Sequence, residues 1–218
     1  MKALAESDLE NLLLGARTIE ADGYGLKVAH LADGSFLKIF RRKRLLSSSL
    51  WSPPAQRFAN NARQLNQLGV PAPSILETFR VPQRNCNGVR YIPLPGQTLR
   101  DSWRTLRPQQ REEQVKRFGQ FLAKLHQLGV YFRSLHLGNV LLMPDQQFGL
   151  IDLSDMHISG RPLSWKKRRR NMRHVLRYEE DRDWLADQHL SALLAGYADG
   201  CGEPATKDLA KALEQHQP

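Results

Sequence analysis

The stretch that most restricts how this chain can fold is Phe132-Arg133-Ser134-Leu135-His136-Leu137-Gly138-Asn139-Val140-Leu141-Leu142, a polar, turn-rich segment set between a long helical pattern and two short apolar runs. Upstream of it, Val115, Phe118, Leu122 and Leu125 recur at spacings of three, four and three. That is the pattern of a helix with one face in a core, so a helix is expected over residues 109–128, closed by Gly129. Downstream, the runs 140–143 and 148–153 flank Pro144-Asp145 and read as a small hairpin. Asn139 precedes the first run, and Asp152 stands near the end of the second. A turn-capping Asn and a strand-end Asp are each commonplace alone; together, an amide and a carboxylate beside one short hairpin suit Mg²⁺, which is commonly held by one or two protein oxygens and nucleotide phosphates.

The N-terminal half has a different texture. Residues 24–40 alternate and turn at Asp33-Gly34, as two antiparallel strands do. A loop is expected over 41–54, where a basic cluster meets three serines and Pro53-Pro54. A helix over 55–68 then ends at Gly69, with Pro71 and Pro73 as stop signals. Two further strands, 75–81 and 89–94, surround a turn at Asn85, Asn87 and Gly88, and Pro93-Leu94-Pro95-Gly96 marks a boundary. The first fifteen residues read as a short amphipathic helix, and everything from Ser164 onward looks helical. The expected fold class is α+β, with a β-rich N-terminal lobe over 1–94 and an α-helical C-terminal lobe over 95–218.

Charge narrows the partners. The chain of 218 residues carries a formal net charge of +10, which favours anionic partners such as a nucleotide, an acidic glycolipid or a membrane surface. Nucleic acid is the weaker expectation, because the interleaved basic and aromatic residues of single-strand binders and any recognition-helix pattern are missing. The two cysteines, Cys86 and Cys201, make neither a disulfide framework nor a zinc motif, and a cytoplasmic setting is expected. No run approaches the roughly 18 apolar residues of a membrane span, and Glu6, Asp8 and Glu10 interrupt the N-terminus where a signal peptide needs continuous apolar residues. Lys166, Lys167, Arg168, Arg169 and Arg170, flanked by Trp165 and Tyr178, read as a solvated helix face or as a peripheral contact with the anionic inner membrane.

The segment around Ser134 resembles the H-R-D-L-x-x-x-N catalytic loop of protein kinases and, more closely, the H-G-D-L-H-x-G-N loop of aminoglycoside phosphotransferase-like enzymes. Leu135, His136, Gly138 and Asn139 match the second form, and Asp152 resembles the metal-binding Asp that follows it. With Tyr91 to Leu99 as a hinge-like stretch, residues 22–178 are similar to the bacterial lipopolysaccharide kinases, the Kdo and heptose kinases and their InaA-type relatives. The resemblance implies a bilobal protein-kinase-like fold that holds ATP and Mg²⁺. It implies Lys38 on the α and β phosphates, Gly23 and Gly25 as a reduced glycine-rich loop, and main-chain groups of Ile92 and Leu94 at the adenine. Asn139 and Asp152 become the metal pair, and Arg133, Ser134 and His136 the catalytic loop. A surface strand lysine, a plain turn and a loop histidine bonded to backbone are the simpler readings of Lys38, of the glycines and of His136. His126, on the helix, reads as structural.

Three departures bear on mechanism. Ser134 stands where the base Asp is expected, and a serine hydroxyl is no base near neutral pH. The helix over 55–68 offers amides but no acid to orient Lys38. Phe132 replaces a histidine expected to brace the loop. The expected function is therefore a phosphotransferase with weakened machinery, acting on a sugar hydroxyl of the lipopolysaccharide core or another anionic glycolipid; the alternative is a nucleotide-binding pseudokinase that regulates envelope metabolism.

Overall fold

The computed structural model describes residues 1–41 and 52–214. Most of the loop expected over 41–54, with Arg42, Lys43, Arg44 and the three serines, lies outside the described residues. The chain is mixed α+β and forms two compact units, Met1–Pro95 together with Asp152–Asp155, and Gly96–Ile151 together with the chain from Met156 onward.

The first unit is built on a six-stranded sheet in the order β1-β5-β6-β4-β3-β2. Its strands are β1 (Lys2–Ala3), β2 (Arg17–Asp22), β3 (Gly25–His30), β4 (Phe36–Arg41), β5 (Ser74–Val81) and β6 (Cys86–Ile92). Period-two alternation along β4 sends Leu37 and Ile39 to one face, where they join Leu9, Ala29, Phe79 and Val81 in an apolar cluster. Leu9 belongs to α1 (Glu6–Leu12). Phe36, Lys38 and Phe40 therefore take the opposite face, which α2 (Pro54–Gln67) covers: Phe58 of α2 meets the rings of Phe40 and Tyr91 at 6.4 and 5.2 Å. Ala55, Phe58, Ala59, Ala62 and Leu65 are buried at helical spacing.

Two elements of this unit differ from the sequence expectation. The N-terminal helix is shorter, because Lys2 and Ala3 pair in parallel with Phe79 and Arg80 of β5. Residues 17–22, unassigned in sequence, form the edge strand β2; five of its six residues are exposed, so no inward-facing alternation advertises it.

The second unit is mainly helical: α3 (Leu99–Arg104), α4 (Pro108–Gln127), α5 (Trp165–Val175), α6 (Glu179–Arg182) and α7 (Leu190–Glu214), the last broken at Gly202. Two small ladders accompany them. In one, β7 (Gln97–Thr98) and β10 (Phe148–Leu150) flank β9 (Val140–Leu142); in the other, β8 (Val130–Phe132) pairs with β11 (Met156–Ile158). Helices α4 and α7 approach closely at two glycines. A Cβ on Gly119 would collide with the carbonyl of Leu193, and one on Gly196 with the carbonyl of Lys116. Backbone cannot yield as a side-chain tip can, so these glycines set the helix spacing. Gly196→Ala is expected to lower stability by about 3 kcal/mol in urea unfolding, against less than about 0.5 kcal/mol for Ala substitution at exposed Ser191 on the same helix.

Candidate active site

In the first unit, Lys38 Nζ lies 2.7 Å from Asp152 Oδ1, a charged hydrogen bond between β4 and a residue more than a hundred positions later. The Lys38 side chain is only 15% exposed, so the alternation of β4 presents a mostly buried ammonium that requires an anionic partner. Asp152 is 41% exposed, and its carboxylate is reachable from solvent. Its backbone is left-handed, with φ of 56°, a conformation that Asp tolerates better than most residues but that still needs support from its surroundings.

That support comes from α2. Asn61 Nδ2 donates to the Leu153 carbonyl at 2.7 Å and Arg57 Nε to the Ser154 carbonyl at 2.9 Å. These bonds, with the Lys38 pair, explain why the four residues 152–155 belong to the first unit. Asn61 fixes the segment that carries Asp152, and Asp152 is the hydrogen-bond partner of Lys38. Burial, and after it the Asp152 carboxylate, push the Tyr91 phenol well above its usual range.

Lys38 and Asp152 line a cavity of about 770 Å³ whose wall also includes Asp22, Tyr24, Arg41 and Ser154. Gly23 and Tyr24 form the two-residue turn between β2 and β3, because Asp22 pairs with Gly25 across the ladder. Asp22 Oδ1 accepts the Tyr24 amide at 2.9 Å. Gly25 has φ of 107°, and the Arg41 guanidinium packs against it while donating to the Leu26 carbonyl at 2.7 Å. The glycines thus serve a pinned hairpin turn at the cavity wall. Ile92 ends β6 opposite Ser74 and is 45% exposed, and Leu94 follows half-buried. Neither is among the described residues that line this cavity.

In the second unit, the segment after β8 is held by its own side chains. Asn139, buried, donates from Nδ2 to the Ser134 carbonyl at 2.8 Å, which fixes the amide's orientation and turns Oδ1, the atom able to ligate a cation, the other way. Asn139 N donates to the His136 carbonyl at 2.9 Å. Ser134 is half-buried and Arg133 exposed. His136 Nδ1 accepts the Gly138 amide at 3.1 Å, and its ring stands edge-on to Tyr178 at 4.8 Å. With Nδ1 turned to the Gly138 amide, Nε2 is the ring nitrogen left to meet another group.

A residue passed over in the sequence anchors this loop. Asp181, fully buried, accepts from Arg100 at 2.8 and 2.9 Å and from the Leu137 amide at 2.9 Å. In sequence it stands in the acidic triplet Glu179-Glu180-Asp181 and looks like surface. Behind the loop runs a buried relay. Arg168 donates to the Tyr197 hydroxyl at 3.1 Å, Tyr197 is 2.8 Å from His126 Nδ1, His126 Nε2 is 3.3 Å from Asn171 Oδ1, and Asn171 Nδ2 donates to the Phe132 carbonyl at 2.7 Å. Arg168 is therefore buried, and the expectation that it faces an anionic membrane with its neighbours is corrected: at helical spacing it falls on the inner face with Asn171, Met172 and Val175.

A family model described as the phosphotransferase enzyme family matches residues 32–218. No curated protein matches the chain.

Burial, reinforced by the Arg168 charge, depresses His126 to about 3. The unfolded chain takes up this proton near pH 6.5 and the folded chain does not, so the stability the neutral ring contributes is complete above about pH 6.5 and is lost as pH falls toward 3. Urea unfolding at stepped pH is expected to show this group adding a slope of about 1.4 kcal/mol per pH unit across that window. In His126→Gln the acid slope should shrink by about one proton.

Proposed function

The chain belongs to the phosphotransferase enzyme family, and from that premise we propose that it binds ATP with Mg²⁺ and transfers a phosphoryl group to a sugar hydroxyl of an anionic glycolipid, of the lipopolysaccharide-core type. The observation that carries this reading is the Lys38–Asp152 pair at the wall of a cavity of about 770 Å³. A mostly buried lysine is the group a triphosphate calls for, and a solvent-reachable carboxylate is the group a cation calls for. Lys38 is assigned to the phosphates, the turn at Gly23 and Gly25 to their cover, and main-chain groups of Ile92 and Leu94 to the base. Asp152 and Asn139 Oδ1 are assigned to Mg²⁺: both are hard oxygen donors, the donor class Mg²⁺ takes. When bound, the ion neutralises phosphate charge.

Phosphoryl transfer asks little covalent chemistry of the protein; positioning and charge neutralisation dominate. Ser134 cannot take the acceptor's proton near pH 7, and absence of general-base help costs about 10²- to 10⁴-fold. His136 is assigned to assist through its Nε2, and Arg133 adds positive charge beside the loop. Exposed cations of α5 support action at the anionic cytoplasmic face of the inner membrane; among the described residues no helix is long and apolar enough to cross a membrane.

A second reading, a pseudokinase that binds nucleotide as a scaffold or regulator, is favoured by Ser134 and by the lack of any acid in α2.

ATP with Mg²⁺ at about a hundred times its dissociation constant is expected to stabilise the chain by about 2.7 kcal/mol in thermal unfolding. Asp152→Asn should abolish the Mg²⁺-dependent part, and a full shift in that variant would sink the metal assignment. With labelled ATP and core oligosaccharide, Ser134→Asp is expected to raise transfer at least about tenfold if only the base is missing; an unchanged null rate in both chains favours the pseudokinase.

A further inference from the structure

A second concavity, of about 580 Å³, is lined by His157, Ser159, Arg161, Leu163, Ser164 and Lys167, with further apolar atoms from two neighbours. Its framework is fixed on both sides. β11 pairs with β8, His157 opposite Tyr131 and Ile158 opposite Val130. The Ser159 amide donates to the Gly129 carbonyl at 3.1 Å and its hydroxyl to the Arg161 carbonyl at 2.9 Å. The Leu163 amide donates to the His126 carbonyl at 2.8 Å, and the Leu163 carbonyl accepts from Arg168 Nε at 2.9 Å. This segment is thus held in place before any ligand arrives.

The charge of the lining is one-sided. From Met156 to Tyr178 the chain has eight Lys and Arg residues and no Asp or Glu. Some arginines elsewhere are answered, Arg84 by Glu6, Arg90 by Glu77 and Arg104 by Glu180; what sets this segment apart is that its cations share one hollow with no acid in its wall. Arg161 and Lys167 have no carboxylate within ion-pair distance among the described residues, and no acid lines the concavity. Two cations converging on one hollow repel each other unless an anion joins them. The Ser164 hydroxyl stands at the start of α5 without capping it and adds a neutral donor. An arginine fork, a lysine point charge and a hydroxyl around a hollow of this size match a dianionic phosphate monoester with an attached sugar ring. The apolar wall gives the ring a surface to rest on. Outward from Lys167, the residues Lys166, Arg169, Arg170 and Arg173 are spaced as one face of α5, opposite its buried face, so positive potential extends along the surface from the hollow.

We infer that this cavity is a subsite for a phosphate monoester carried on a sugar of the acceptor, so that the acceptor is already phosphorylated when it binds. Naming the ligand an acceptor rests on the phosphotransferase reading above; the binding chemistry of the cavity does not.

The test is calorimetric titration of the full chain, without nucleotide, with glucose 6-phosphate, with glucose, and with phosphatidylcholine vesicles with and without phosphatidic acid. Glucose 6-phosphate is expected to bind and glucose not to. The pair R161Q/K167Q should weaken sugar-phosphate binding about tenfold or more, while R170Q/R173Q, which removes the same charge from the outer stripe, should change it less than about twofold. The more conservative pair R161K/K167R should retain most of the binding, and thermal unfolding of each variant separates lost binding from lost folding. Equal weakening by both charge-removing pairs would reduce the effect to net charge and overturn the site. So would the absence of sugar-phosphate binding, or cavity-dependent binding to phosphatidic acid vesicles that glucose 6-phosphate does not displace, which would make it a lipid headgroup site. Asp152→Asn should bind glucose 6-phosphate as the parent chain does. Failure of ATP binding would therefore sink the nucleotide reading and leave this one standing, and the converse holds.

Discussion

The hydrogen bond between Lys38 and Asp152 organises the first unit, because each residue is placed by constraints that make sense only if the other is present. The pleat of β4 commits Leu37 and Ile39 to an apolar cluster, and a one-residue register slip would expose both and bury Lys38 among them. The register is further tied by β3 and β6, where Val28 and Val89 sit opposite Lys38. Lys38 is therefore obliged to occupy the face that α2 covers. Asp152, for its part, sits at positive φ, and two side chains of α2 hold the carbonyls of the residues that follow it. A helix without acids still positions the lysine, but indirectly. It fixes the backbone that carries the carboxylate rather than offering a carboxylate of its own.

The sequence revealed this arrangement unevenly, for physical reasons. Strand alternation placed Lys38 on a strand and an apolar run ended near Asp152, but only the resemblance to kinase-like loops singled the two out; the helix before the loop was legible from its apolar spacing. Asn61 was visible only as one of several amides in α2, and its carbonyl partner could not be read, because a side-chain-to-backbone bond across ninety-two positions leaves no local pattern. β2 was missed because an exposed edge strand needs no buried face. β8 and β11, three residues each, are shorter than any periodicity window. Asp181 was hidden by its neighbours, since nothing in Glu179-Glu180-Asp181 distinguishes the acid that turns inward from those that do not.

The loop from Arg133 to Asn139 shows that geometry and chemistry can part company. Four backbone groups fix the loop and its approach: the Ser134 carbonyl on Asn139, the Leu137 amide on Asp181, the Gly138 amide on His136, the Phe132 carbonyl on Asn171. None of these bonds uses a carboxylate at position 134 or an imidazole at 132. Phe132 is fully buried, so the brace expected from a histidine is supplied by packing and by its own carbonyl. A serine at 134 is therefore compatible with all four of these bonds. In phosphoryl transfer generally, positioning and charge neutralisation are the larger part.

Arginine and lysine do three different jobs in this chain, and net charge alone separates none of them. Arg100, 20% exposed, is answered twice by a buried carboxylate and so acts as framework. Arg168, though part of an unbroken basic run, is turned inward to donate to Leu163 and Tyr197; the cost of its burial is offset by hydrogen bonds, and its charge helps keep His126 neutral. Among the described residues the remaining cations of α5 have neither role, in a stretch that itself contains no acid. A helix that spends one arginine on its core and leaves its other cations uncompensated gains no stability from that surface, because like charges at helical spacing repel. Solvent and salt screen that repulsion, and Arg161 and Lys167 share one hollow at the start of the helix.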